Sequence, residues 1–368
     1  MLLDQLATPA VLVDRRRLLT NIERVQQIAG AAGIGLRPHA KTHKSPVIAR
    51  WQIDRGAVGI CCAKLGEAEV FAGAGITDIR LPYPVNPVHA PRVIALMDRA
   101  SMSIIVDHLS VARGWSDAMR AAGRMLDVLV KVDVGFHRCG IDPDRGAVEF
   151  IQAVAALSGL RVRGLLSHAG HAYRATSANE LADIAAREVD LLVALQARAA
   201  AAGVPLDEIS VGATPTLRFS ATERGITELR PGNYVYFDRT QVTLGSASLD
   251  ECALTVLATV VSKPSADRII LDCGSKTLSS DLAPHGEGYG VVLTRDGSAI
   301  DHSLSIERLS EEHATVGVRG GTPLEPGDLV RVLPNHSCVV SNLVDDIRLV
   351  DDGRVVETLP VSARGKIT

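Results

Sequence analysis

Residues 58–83 read VGICCAKLGEAEVFAGAGITDIRLPY. A short apolar run, VGICCA, leads into KLGEAEVFAGAG, which is longer, amphipathic and closes on glycine, and then into a second short apolar run, DIRLPY. Apolar runs of this length suit buried strands, and an intervening amphipathic stretch that stops at Gly suits a crossover helix. The segment therefore reads as strand, helix, strand, the repeating element of a parallel sheet.

The alternation continues in both directions. IGLRPHA (34–40) precedes it, and SIIVD (103–107), DVLVKVD (127–133), VRGLLSH (162–168), EISVGA (208–213) and ITELRPG (226–232) follow. Between them lie helix-like segments such as SPVIARWQIDRG, NPVHAPRVIALMDRA and NELADIAAREVDLLVALQARAAAAG. Strand–helix units in this number, over residues 14–245, predict a TIM (β/α)8 barrel, with an open doubly wound sheet as the alternative that element order leaves standing. Past about residue 248 the texture changes to LTVLATVVSKP, DRIILDCG, YGVVLT, HATVGVRG and DLVRVLPNHSCVV, so residues 246–368 are expected to form a second, mostly-β domain.

Composition narrows the function. A chain of 368 residues with 46% apolar and 22% charged residues can bury a large core. Its net charge of −3, with five Phe, two Trp and five Tyr, offers neither a basic face nor stacking platforms, so nucleic acid is not an expected partner. No apolar run approaches the ~20 residues of a membrane helix, and MLLDQLATPAVLVD does not read as a signal or transit peptide. A cytoplasmic location is expected. The six cysteines lack CxxC spacing and are expected as thiols, with Cys61, Cys62 and Cys273 acting as small buried hydrophobes.

Chemistry enters at RPHAKTHK, residues 37–44, which crowds Arg37, His39, Lys41, His43 and Lys44 at the C-terminal end of the first barrel strand. Barrel active sites lie at that end. A lysine desolvated there among other cations would be a nucleophile toward an aldehyde, and the aldehyde most often held in this way is pyridoxal 5'-phosphate (PLP). The same rim receives His168, Asp133 and Arg138. Gly212, Ala213 and Thr214 of SVGATPT, with Gly232 and Asn233 of RPGNY, could cradle a phosphate after strands seven and eight. A basic loop and ordinary turns are the bland readings of these segments. In PNHSC, residues 334–338, a strand would bring His336 and Cys338 to one face as a thiolate–imidazole pair that favours Zn²⁺ over Mg²⁺ or Ca²⁺; a buried Cys beside a hydrogen-bonded His is the bland reading.

RPHAKTHK, GICCAKLGEAEVFAGAGI, VDVGFHRCG and PNHSC, in that order, resemble the D-threonine aldolase and D-serine dehydratase family, fold-type III PLP enzymes related to alanine racemase. The resemblance implies Lys41 as the Schiff-base lysine and base at the α-carbon, with His39 and Arg138 as catalytic neighbours. It places Arg138 near the cofactor ring and Tyr173 near the pyridine nitrogen. His168, Thr214, Gly232, Asn233 and Tyr234 complete the cofactor contacts, while His336 and Cys338 hold a divalent metal, Zn or Mn. Read from the residues alone, His39, His43, His168 and His171 are expected to shape the pocket rather than transfer protons, with either role open, and His137 is a neighbour in sequence only. The first dozen residues would join the β-rich domain as a strand, giving domains of 14–245 and of 1–13 with 246–368.

The implied reaction is metal-assisted retro-aldol cleavage of a D-3-hydroxy amino acid to glycine and an aldehyde. The alternative is dehydration to a 2-oxo acid and ammonia, and the thiolate of the HxC pair resembles the dehydratases, since aldolases of the family more often carry aspartate at the Cys338 position. An amino acid racemase and a non-catalytic PLP-binding protein are more distant readings. Homodimerisation is implied by resemblance alone.

Overall fold

Glu67 folds back at the start of the helix Leu65–Gly73, its Oε2 accepting the N–H groups of Ala63 and Lys64 at 2.6 and 3.3 Å. The helix lies between the strands Ile60–Cys61 and Asp78–Pro84, as the opening segment requires. The computed structural model of the chain describes residues 1–283, 286–294 and 297–368. It divides into two compact units. One comprises Val25–Lys41, Pro46–Gly232 and Gly365–Thr368; the other comprises Met1–Arg24, Thr42–Ser45 and Asn233–Arg364.

The first unit is the barrel. Its strands, in chain order, are Gly35–Leu36, Ile60–Cys61, Asp78–Pro84, Ser101–Val106, Leu126–Lys131, Leu160–Leu166, Glu208–Val211 and Glu228–Leu229. Each pairs in parallel with its neighbour in the sheet, the first lying beside the eighth. A parallel bridge between His39 and Cys61 joins the first strand to the second. The backbone N–H of Val58 donates to the Leu36 carbonyl at 2.9 Å, and that of Cys61 to Pro38 at 2.8 Å. This closure selects the barrel over the open sheet. Pro38 can accept but has no N–H to donate, which interrupts the ladder of the first strand.

Charged groups fill part of the barrel interior. Arg80 on the third strand and Glu228 on the eighth are not neighbours in the ring, yet Arg80 Nη1 lies 2.5 Å from Glu228 Oε1. Arg37 Nε reaches Glu228 Oε2 at 2.6 Å, and Arg80 Nη2 reaches Glu208 at 2.8 Å. Burial alone would raise the Glu228 carboxyl, but the charges of Arg80, Arg37 and Arg230 prevail and hold it at about 2. Its contribution is therefore complete above the ordinary glutamate value of 4.5 and is lost as pH falls toward 2. Replacing one partner of such a network leaves buried charges uncompensated, so Glu228→Gln is expected to cost about 3–5 kcal/mol of stability, read from urea unfolding at pH 7.

The second unit is built on a nine-stranded sheet. Its long strand, Leu254–Ser265, pairs antiparallel with Ala10–Asp14 and Leu329–Leu333 through its first half and with Arg268–Leu271 through its second, beyond a register shift at Val260 and Ser262. Such irregularities bend a strand, letting one segment serve several partners. Ala10–Asp14 also lies parallel to Asp346–Asp351. The strand expected through PNHSC is not formed: strand Leu329–Leu333 ends before Pro334, and His336 occupies the N-cap position of a helix over Ser337–Leu343 without a capping hydrogen bond from its side chain. The apolar run CVV read as β, but the Asp238 carboxylate takes the Ser337 N–H at 3.0 Å and so turns the segment into a helix start. Among the described residues, no helix is long and apolar enough to cross a membrane.

Candidate active site

In the barrel unit, Lys41 sits in a single 3-10 turn, Ala40–Thr42, just past the first strand. Its backbone N–H points at His39 Nδ1, 3.4 Å away. Lys41 is exposed, so the desolvation expected of it is not found; it lies in the turn beyond the barrel wall, while its neighbour His39 is half-buried. Lys41, Arg138, Arg230 and His168 all act electrostatically on His39, which ties these sequence-separated positions to one place.

Burial, and next the Lys41 charge, push both His39 and His168 well below the usual imidazole value, so both rings are neutral. Their tautomers differ. His168 Nδ1 lies 2.7 Å from the Gly212 carbonyl, which can only accept; Nδ1 therefore carries the proton and Nε2 the lone pair. At His39 the ring Nδ1 accepts from Lys41 N–H, which leaves Nε2 as the donor. The Phe136 ring meets His168 edge-on at 5.7 Å and carries the Arg138 guanidinium 4.9 Å from its centroid, fixing both side chains.

A pH signature follows from the two neutral histidines. The unfolded chain takes up protons below the ordinary value of 6.5 that the folded chain refuses, so stability falls as pH drops below that value. The urea midpoint of the parent is expected to decline more steeply between pH 7 and 5 than that of His168→Gln. Equal slopes would place the His168 pKa in its ordinary range.

Several groups here were not singled out in the sequence. Arg230 is buried and donates to the Ser210 hydroxyl and the Ser167 carbonyl. Lys131, at the end of the fifth strand, is 3% exposed, and burial followed by the charge of Arg230 lowers it to about 7. The signal available was a charged residue alternating with apolar ones in DVLVKVD and ITELRPG, which marks an inward-facing polar position. His137 is 84% exposed and pairs with Asp133 at 2.9 Å. Tyr173 is half-buried in the turn Gly170–Arg174 that follows the sixth strand.

These residues fit a phosphorylated aldehyde cofactor. The buried Thr214 hydroxyl has no hydrogen-bond partner among the described residues. At Gly212 a Cβ would come within 2.8 Å of the Arg230 backbone nitrogen, so only glycine permits this close turn beside Thr214. Lys41 and Arg138 act on His168, whose ring bonds the Gly212 carbonyl, and the Arg230 backbone packs against Gly212, so positive charge near this turn suits an anion.

In the β-rich unit, His336 stands at the N-cap of the helix Ser337–Leu343, which holds Cys338. The Cys338 sulfur lies 3.2 Å from the Thr42 hydroxyl and 3.6 Å from Asn233 Nδ2. Thr42 is the residue after Lys41 in the chain. Asn233 Nδ2 also donates to Asp238 at 2.6 Å and to Ser337 at 3.1 Å, so its side chain is bound up with this segment; Tyr234 beside it is fully buried. Asp238 was not singled out, although Asp before RTQVT has the form of a helix N-cap, and it does accept the Gln241 N–H at 3.1 Å. An imidazole with a thiol is a donor set for Zn²⁺. Among the described residues no group of three or more His, Cys, Asp and Glu side chains is gathered for a metal.

A closed parallel barrel with a lysine just beyond its first strand, joined in one chain to a β-rich unit, defines the alanine racemase-like class of fold-type III PLP enzymes. The sequence matches the family described as alanine racemase, N-terminal domain, over residues 13–240, and a putative serine dehydratase domain over residues 253–350. The chain belongs to the alanine racemase N-terminal domain family. It is 33% identical to a D-threonine aldolase of Arthrobacter sp. over 99% of this chain and 94% of the relative. The solved D-threo-3-hydroxyaspartate dehydratase of Delftia sp. HT23 is 32% identical, with a TM-score of 0.91 over 98% of both chains. A cysteine-to-alanine variant of a D-threo-3-hydroxyaspartate dehydratase, solved in the metal-free form, superposes at a TM-score of 0.92 with 31% identity over 98% of both chains.

Proposed function

We propose that this PLP-dependent lyase acts on D-3-hydroxy amino acids with the help of a divalent metal, cleaving the Cα–Cβ bond to give glycine and an aldehyde. The observation that carries the reading is the geometry of two imidazoles at the barrel rim: His39 Nδ1 faces the Lys41 N–H at 3.4 Å, and His168 Nδ1 is taken up by the Gly212 carbonyl at 2.7 Å, which leaves each ring its Nε2 for proton transfer. When bound, PLP supplies a sink for the electron pair left at the α-carbon, and a divalent metal supplies Lewis-acid polarisation of the β-hydroxyl.

The remaining chemistry belongs to the chain. Lys41 holds the cofactor covalently, and its amine is the proton-transfer group at the α-carbon, which must gain a proton once the Cα–Cβ bond has broken. Arg138, with Tyr173 and His168, orients the cofactor ring. Thr214, Gly232, Asn233 and Tyr234 take its phosphate end. His336 and Cys338 hold the metal. Retro-aldol cleavage needs a group to accept the hydroxyl proton, and the His168 Nε2 lone pair is suited to that; His39, with its Nε2–H, is suited to donate. In this reading residues 14–245 serve the cofactor, residues 1–13 and 246–368 carry the metal ligands, and the working form is a cytoplasmic homodimer.

Cys338 favours a second reading. The metal-free relative is a cysteine-to-alanine variant of a dehydratase, and a thiolate ligand is common to that activity in the resemblance drawn from PNHSC. In dehydration, Lys41 would remove the α-proton and the hydroxyl would leave as water; the resulting enamine would tautomerise to an imine, which water hydrolyses to a 2-oxo acid and ammonia. Incubating the holoenzyme with D-threonine and with D-serine, with and without chelator, separates the two. Glycine with an aldehyde supports cleavage, and 2-oxobutyrate or pyruvate with ammonia supports dehydration. Turnover of L-isomers alone would overturn both.

A further inference from the structure

We infer that Asp281 is a positioning residue for the metal, holding His336 in the tautomer and orientation that present its Nε2 to the ion. The inference rests on the metal reading of His336 and Cys338. Asp281 lies 55 residues before His336, in a segment without regular structure. Its Oδ2 is 2.7 Å from His336 Nδ1. A carboxylate only accepts, so Nδ1 carries a proton, and Nε2 is the nitrogen left to face an ion once the ring binds as a neutral ligand.

The contact is built rather than casual. Asn335, buried at 1% exposure, donates through Nδ2 to the backbone carbonyls of Asp281 and of Gly288, both at 2.9 Å. The residue preceding the ligand thus ties down the segment that supplies the carboxylate. The carbonyl of Asn335 accepts the Thr240 hydroxyl at 2.7 Å, and its Oδ1 accepts Arg239 Nη1 at 3.3 Å, which anchors the amide. On the other side of the ligand, Asp238 takes the Ser337 N–H at 3.0 Å. His336 is therefore gripped at its ring, and its chain neighbours on both sides are fixed. Carboxylates placed behind metal-binding histidines orient the ring and raise its basicity, and their loss typically lowers metal affinity 10- to 100-fold.

The test compares the parent holoenzyme with Asp281→Ala, Asp281→Asn and His336→Ala. Zn²⁺ affinity is measured by competition with a chelator of known strength. Cofactor absorbance reports folding, and the thiolate-to-metal charge-transfer band of the Co²⁺-loaded protein reports Cys338 ligation. Asp281→Ala is expected to bind Zn²⁺ about 10- to 100-fold more weakly while keeping its cofactor absorbance and, at saturating Co²⁺, its charge-transfer band. Asp281→Asn keeps an acceptor oxygen and is expected to recover part of the loss. An Asp281→Ala affinity within twofold of the parent overturns the inference. So does an Asp281→Asn variant as weak as His336→Ala, which would make Asp281 a ligand. If the parent takes up no metal, or His336→Ala binds it as the parent does, the metal reading itself fails and takes this inference with it.

Discussion

Replacing Lys41 with alanine is expected to strip the holoenzyme of its visible cofactor absorbance and to lower turnover by about 10³-fold or more. Two roles are lost together. The amine is the covalent attachment point, and it is the proton-transfer group at the α-carbon, returning a proton there after cleavage or removing one in dehydration; a positioned proton-transfer group alone is worth roughly 10²–10⁴. The exposure of Lys41 sharpens the expectation, because a side chain outside the packed barrel interior can be removed with little damage to the fold. The variant should therefore unfold at nearly the parental urea concentration. Retained colour and turnover in a folded Lys41→Ala protein would reassign the attachment to another lysine.

Alanine at Cys338 is expected to remove the metal and to cut turnover by about 10²–10³-fold, the scale on which loss of one stabilising contact to a developing oxyanion is felt. Cofactor absorbance should survive, since the attachment lysine, Lys41, belongs to the barrel unit and Cys338 to the other. Chelator treatment of the parent should reproduce the defect and added Zn²⁺ or Mn²⁺ should reverse it; neither should act on the variant. Cys338→Asp offers a harder oxygen donor and is expected to recover activity better with Mn²⁺ than with Zn²⁺. Full turnover by Cys338→Ala, with or without chelator, would remove the metal from the account and revive a metal-free reading such as racemisation.

The barrel was legible because each strand is a short apolar run beside an amphipathic helix of different period, as in residues 58–83. Its closure was not, because it rests on the single bridge of His39 with Cys61 and two backbone hydrogen bonds, which no local pattern encodes. RPHAKTHK could be placed on the rim because it follows a strand. The exposure of Lys41 could not, since a turn of three residues decides it. The His336 and Cys338 spacing reveals the pair but not its backbone, which is a helix start rather than a strand, imposed by Asp238, 99 residues away from Ser337 in sequence. Asp281 shows no period and no motif; only the fold brings it to His336. The ion pairs of Arg37, Arg80 and Glu228 escaped notice because the sequence does not say that these residues meet across a closed interior.

Borohydride reduction of the purified holoenzyme, followed by digestion and mass mapping of the pyridoxyl-modified peptide, tests the central assignment most directly. Lys131 is the natural rival, since burial lowers its amine to about 7 and leaves it neutral in part at physiological pH, but it is only 3% exposed. The account predicts modification at Lys41 in the peptide that carries RPHAKTHK. Modification at Lys131 or elsewhere with Lys41 untouched, or a protein that stays colourless when PLP is added, would contradict it.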